Sequence, residues 1–243
     1  MKIEVSLSPA LYPYRTIKEH HATVAVDLLR ATTAVCAAFE AGCDAVLPLD
    51  TLEGMGRYRE EGFLLAAERG GRKVDIPMPD GRMVKADYGN SPTEYLRSNL
   101  SGVRLAYSTT NGTISILCGA DADLTMAGSF ANISALATRL RAERMDAVVL
   151  CSGWQSDFCI EDTLVAGALI ETLADVAEPH GDAAMMAAAL WQDAKCDPYE
   201  YCLHRCSHIA RLHRLGADDD VRFAFRRDTC AVVPVLRNGL LTL

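Results

Sequence analysis

Short apolar runs recur along the chain, and most are followed by small polar or charged residues and then by a stretch of helical composition. The run at 3–7 alternates and predicts a first strand, whereas residues 8–21 hold Pro9 and Pro13 and read as loop. Residues 23–26, Thr-Val-Ala-Val, are β-branched and apolar and predict a buried strand, followed by a helix over 34–41 that Gly42 stops. The same alternation predicts strands at 45–49, 63–67, 103–107, 123–127 and 146–151. It predicts helices at 51–61, 93–98, 132–143 and 163–174, with a short one closing near Gly119. Residues 72–92, rich in Pro, Gly and Asp, read as a long loop of the kind that is often functional, and Ser91-Pro92 starts the next helix. Further on, 183–192 and 199–214 read as helices, and 221–225 and 231–235 as alternating strands at a sheet edge. Strands alternating with helices predict an α/β fold, a three-layer αβα arrangement with a mixed, mostly parallel sheet and helices on both faces. The length suits a single domain over 1–243 or two intimately packed subdomains.

The strand ends carry the candidate chemistry. Asp27 sits where the strand at 23–26 should end, Arg30 follows three residues later, and Thr32 and Thr33 are good N-caps for the helix. In an open α/β sheet this is the crevice end, where a carboxylate can hold a hard cation and an Arg beside a helix N-terminus suits an oxyanion. An Asp that merely caps the helix explains the segment equally well. Glu68-Arg69-Gly70-Gly71 again sets a carboxylate and a guanidinium at a strand end, with glycines that let backbone come close. Ser108 to Thr113 gathers more small polar residues than one cap requires, which favours an anion cradle over a plain capping loop. Asn111-Gly112 there can adopt unusual backbone angles that aim N–H groups inward. Gly128-Ser129 with Asn132 repeats the pattern, as does Gly153. Glu161-Asp162 begins the helix at 163–174, either to complement its dipole or to reach into the same crevice. No GxGxxG or GxxxxGK[ST] occurs in these turns, so dinucleotide and P-loop readings lose support.

Composition narrows the partners. Half the residues are apolar and 23% are charged, ordinary for a globular protein, and the formal net charge of −8 argues against nucleic acid or an anionic membrane as partner. A small anionic substrate stays compatible with a locally positive pocket. No apolar run reaches membrane-spanning length, and the first residues do not begin a signal peptide. The nine cysteines lack small-domain spacing and read as reduced core residues of a cytoplasmic protein. Cys202 and Cys206, like His204 and His208, are spaced i,i+4, but the two pairs fall on different faces of one helix, which argues against structural zinc.

Six blocks in order resemble the 2-phosphosulfolactate phosphatase (ComB-like) family. They are Asp27 to Thr33, Glu68 to Gly71, Gly89-Asn90-Ser91-Pro92, Thr109 to Thr113, Gly128-Ser129 with Asn132, and Glu161 to Leu164 with Ala166-Gly167. Ser207-His208, Leu215-Gly216, Asp219-Asp220-Val221 and Val233-Pro234 extend the likeness. The resemblance implies a Mg²⁺-dependent phosphatase that hydrolyses 2-phospho-3-sulfolactate to 3-sulfolactate and phosphate, a step of coenzyme M synthesis in archaea. It implies Asp27, Arg30 and Glu68 as catalytic residues and Asp27, Glu68 and Asp162 as metal ligands. For the substrate it implies Arg30, Thr32, Thr33, Arg69, Asn90, Ser91, Thr109, Thr110, Asn111, Gly112, Thr113, Ser129 and Asn132. Attack by Asp27 and attack by water both stay open, as does a homodimer. Trp154 and Ser156 depart from the pattern, where a smaller residue and a glycine are expected, and this bears on the pocket's shape and substrate. A phosphatase for another small phosphorylated acid uses the same machinery, and a non-catalytic anion binder does not need the paired acids.

Overall fold

The computed structural model describes residues 1–154 and 157–243, so Ser156 lies outside the described residues. β1 (Lys2–Ser6) and β2 (His21–Val26) lead into α1 (Ala31–Glu40), which is buried over all but its last residue, as an Ala-rich helix without a polar face must be. β3 (Ala45–Pro48) follows. The helix expected over 51–61 shrinks to α2 (Arg57–Glu60), because Gly54 takes φ +72° and breaks the earlier turn. β4 (Leu64–Arg69) turns through Gly70 and Gly71 into β5 (Arg72–Lys73), and the expected long loop carries a small hairpin, β6 (Asp75–Pro77) with β7 (Met83–Lys85). Next come α3 (Pro92–Leu96), β8 (Arg104–Ser108), α4 (Gly112–Cys118), β9 (Leu124–Gly128), α5 (Ile133–Glu143), β10 (Asp146–Cys151) and α6 (Ile160–Thr172).

The C-terminal third departs most from the sequence pattern. β11 (Glu178–His180) and α7 (Asp182–Ala194) precede not one helix but two, α8 (Pro198–Leu203) and α9 (Ser207–Arg214). The break is a tertiary effect: it seats Cys206, Ile209 and Leu212 in the core. The strand expected at 221–225 is instead part of a helix, α10 (Asp218–Ala224). Its three leading aspartates suit a helix N-terminus, and Val221, Ala224 and Phe225 are buried at helical spacing. The strand expected at 231–235 reduces to β12 (Val235–Arg237), which pairs antiparallel with β13 (Leu240–Thr242).

The main sheet runs β11-β1-β10-β2-β9-β12-β13-β3-β8-β4-β5. The pairs from β11 to β9 are parallel, as are β3-β8 and β8-β4, and the antiparallel hairpin β12-β13 joins these two halves. One core cluster packs α5, α6 and α7 against β1, β2 and β10. Another sets α1 against both halves, touching Ala25 and Ala127 on one side and Val46, Ala66, Leu105 and Tyr107 on the other. Strands six places apart in a flat sheet stand about 29 Å apart. β2 and β4 are that far apart in order, yet residues from their ends line one cleft, so the sheet curls around α1. No helix among the described residues is long and apolar enough to cross a membrane.

Candidate active site

The cleft is narrow and open to solvent, and is lined by Asp27, Arg30, Glu68, Gly71, Asn90, Asn111, Trp154, His208 and Arg211, with Leu29 and Leu212. It lies beyond the carboxyl ends of β2, β4 and β8, the expected place for a ligand in such a sheet.

Asp27 follows β2 directly, and its carboxyl accepts from the Ala31 backbone N–H. The expected N-caps are displaced: Arg30 holds that position, and both threonines lie inside the first turn. Thr32 Oγ1 accepts from Asp27 N–H at 2.9 Å and donates to the Gly128 carbonyl at 2.7 Å, while Thr33 Oγ1 donates to the Leu28 carbonyl at 2.9 Å. Both threonines are fully buried, tying the turn to the sheet rather than facing the cleft. Gly112 is not left-handed, contrary to the backbone-angle expectation; its reason is space. A Cβ there would stand 2.2 Å from Ala31 Cβ and 2.7 Å from Asp27 Oδ2. Thr109 and Thr113 cap each other, hydroxyl to N–H, at 3.2 Å in both directions, and are buried.

Glu68 accepts from Thr110 N–H at 3.3 Å, from Thr110 Oγ1 at 3.2 Å, and from Gly71 N–H. Gly70 and Gly71, at φ +62° and +83°, make that last contact sterically cheap. Arg69 turns away from the cleft, donating to the Glu68 carbonyl at 2.6 Å and to Ser108 Oγ at 2.8 Å. Arg30 donates to Asp220 Oδ2 at 2.7 Å and to the Gly71 carbonyl at 2.9 Å. Ser91 Oγ and Thr93 Oγ1 donate to the other Asp220 oxygen, each at 2.7 Å, so Ser91 holds the clamp rather than a ligand. Asn90 Oδ1 accepts from the Tyr107 hydroxyl, and its side chain lines the cleft.

Asp162 is set back from the cleft. Its two oxygens accept from Leu28 N–H at 2.9 Å and Gly153 N–H at 3.0 Å, fixing the loops on either side of Asp27. Ser129 and Asn132, both fully buried, form a capping box, and Asn132 Nδ2 donates to the Ala127 and Val232 carbonyls.

The structure adds residues that the strand-end pattern does not reveal. Asp220 secures Arg30 from α10, and α9 contributes His208 and Arg211. The Arg211 guanidinium lies 3.9 Å over the Trp154 ring, whose centroid is 5.2 Å from that of His208. The signal was a His-x-x-Arg face on one helix, obscured because 199–214 reads as unbroken.

Charge is concentrated here. Burial, reinforced by Glu68 and Glu161, pushes the Asp27 carboxyl up to about 6. Burial together with Asp27 and Glu161 pushes Asp162 well above its ordinary value. Burial also works to raise Glu161, but a hydrogen bond with His208, Nδ1 to Oε1 at 3.0 Å, holds it below. Burial lowers Arg211, with Arg30 acting in the same direction and Glu68 opposing. Two clamped guanidiniums facing two carboxylates suit an anion bound together with a cation.

A model of the 2-phosphosulpholactate phosphatase family matches residues 7–239. A protein of Gloeobacter violaceus described as a probable 2-phosphosulfolactate phosphatase is 35% identical over 96% of this chain and 94% of its own length. Proteins with the same description from Thermotoga petrophila and from Synechococcus sp. (strain WH7803) are 34% and 38% identical, covering 93% and 88% of this chain and 93% and 85% of their own lengths.

Proposed function

Because the chain belongs to the 2-phosphosulpholactate phosphatase family, whose members are phosphoric monoester hydrolases, we propose that it hydrolyses 2-phospho-3-sulfolactate to 3-sulfolactate and phosphate with Mg²⁺ as cofactor. The observation that supports this is the meeting of Asp27 and Glu68 with Arg30 and Arg211 in one cleft. The residues fit a hard cation. Asp27 and Glu68 offer carboxylate oxygens, Asn90 and Asn111 offer amides, and the upward push on Asp27, from burial with Glu68 and Glu161 nearby, is one that a bound cation would offset. Asp27 and Glu68 would hold the metal, and Asp162 would position Asp27 through Leu28 and Gly153. Bound there, Mg²⁺ supplies charge neutralisation to the phosphoryl oxygens and an organised water shell.

The chain's own groups do the rest. Arg30 commits N–H donors to Asp220 and Gly71, which fixes its plane and leaves its remaining donors for an oxyanion. Arg211, stacked on Trp154, gives a second cationic face for a substrate that carries phosphate, carboxylate and sulfonate. A panel of phosphate esters including 2-phospho-3-sulfolactate, scored by released phosphate with Mg²⁺ and after EDTA, tests the reading. The expected result is turnover of the sulfolactate ester that EDTA abolishes and Mg²⁺ restores. Full activity after exhaustive chelation refutes the metal role. Preference for another phosphorylated acid supports a second reading, favoured by the bulk of Trp154 in the cleft wall.

A further inference from the structure

Behind the cleft, two helix starts meet with matching chemistry. Cys159 is the N-cap of α6 and Cys206 the N-cap of α9; Glu161 and His208 each follow two residues later. Donor atoms of Cys159, Glu161 and His208 all lie within 4.8 Å of one another. The Cys206 side chain lies beside Glu161. Both cysteines and Glu161 are buried.

Hydrogen bonds on both ring nitrogens of His208 fix its tautomer. Arg211 Nη2 stands 3.0 Å from His208 Nε2, and a guanidinium can only donate, so Nε2 accepts. Nδ1 then carries the proton and donates to Glu161. Glu161 is thus buried with an imidazole and two cysteine side chains, a donor set suited to a divalent cation.

We propose that Cys159, Glu161, Cys206 and His208 form a site for a thiophilic divalent cation of the Zn²⁺ class, lying behind the oxygen-lined cleft and sharing His208 with its wall. Sulfur and nitrogen donors select such ions over Mg²⁺. Ligands of a tetrahedral zinc stand roughly 3.3–3.8 Å apart, so modest side-chain shifts bring Cys159, Glu161 and His208 to that spacing, and rotation of the Cys206 side chain supplies the fourth ligand. Binding releases the thiol protons and moves the single ring proton of His208 from Nδ1 to Nε2, which leaves Nδ1 to the metal. An Nε2–H cannot accept from Arg211, so metal binding frees Arg211 from His208 and couples the site to the cleft.

The test is Co²⁺ titration of the purified, reduced protein in excess Mg²⁺. One equivalent should bind and show a thiolate-to-cobalt charge-transfer band. The band should fall to about half in Cys159→Ser and vanish in Cys159→Ser/Cys206→Ser, the single variant giving the reading if the double one does not fold. Zn²⁺ should displace the cobalt, raise Tm, and change Trp154 emission, the last response being absent in Trp154→Phe. Absence of a thiolate band in the wild type, or an undiminished band in the cysteine variants, would overturn the site. The readouts are binding and spectra, so they stand whether or not the protein hydrolyses a sulfonate ester.

Discussion

Arg30 is held on two sides, by the Asp220 carboxylate and by the Gly71 carbonyl. Lysine can reach one such acceptor but cannot reproduce a planar fork between two. Arg30→Lys is expected to lower kcat/KM at least about tenfold, equal to roughly 1.4 kcal/mol, with circular dichroism unchanged. An unchanged kcat/KM would reduce Arg30 to a structural tie. Gly112 makes a second residue-scale case. Alanine there collides with Ala31 Cβ and with Asp27 Oδ2, so Gly112→Ala should lose about 1–3 kcal/mol in denaturant unfolding, together with activity. Adding Ala31→Gly removes the first collision but not the second. The pair should regain part of the stability while turnover stays low; normal turnover in the pair would show that displacement of Asp27 is not the cause. At this scale Asp27, Arg30, Glu68 and Asn111 were legible in sequence because each stands beside a strand end, whereas Asn90, in the loop before α3, was marked by the family resemblance. Thr32, Thr33, Ser129 and Asn132 carry the same polar signature but spend it on buried backbone groups, a distinction that composition does not encode.

At the scale of elements, the α6–α7 pair shows how the helices that flank the site are fixed. Gly167 on α6 admits α7 so closely that a Cβ would stand 2.1 Å from the Ala187 carbonyl oxygen. Glu171 on α6 accepts from Trp191 Nε1 at 2.6 Å, Lys195 Nζ at 2.8 Å and Gln192 Nε2 at 3.0 Å. Hydrogen bonds from Lys195 and Trp191 lower the Glu171 carboxyl to about 2. Its folded value lies below its unfolded one, so its contribution is present above about pH 4.5 and is lost as pH falls through about 2. The group is more than a third exposed, and after solvent screening the contribution is about 1 kcal/mol. Urea unfolding between pH 5 and pH 2 should therefore fall less steeply for Glu171→Gln than for the wild type, and equal slopes would refute the staple. Apart from the shortened α2 and the β6–β7 hairpin, the alternating strands and helices up to α6 were legible because hydrophobic period and turn residues agree there. Beyond it, the break before α9 and the helical state of α10 follow from docking onto the core, where local pattern loses to tertiary contacts.

At the scale of the whole molecule, the β12–β13 hairpin couples β9 to β3 and so holds the half that carries Asp27 against the half that carries Glu68. Leu241 of the hairpin is fully buried and pairs with Val46, in a cluster that α1 shares with both halves. Deleting residues 235–242 should abolish phosphate release and leave a chain that aggregates or unfolds without a sharp transition; a soluble, cooperatively folding, active deletion variant would contradict this. The hairpin also follows every other described strand in sequence, which gives the fold a direction in time. During synthesis β9 and β3 emerge long before the strands that will lie between them, so each waits with an unpaired edge open to wrong partners. A ribosome stalled short of residue 235 would hold two unjoined halves, and the cleft between them would come into being only with the final strands.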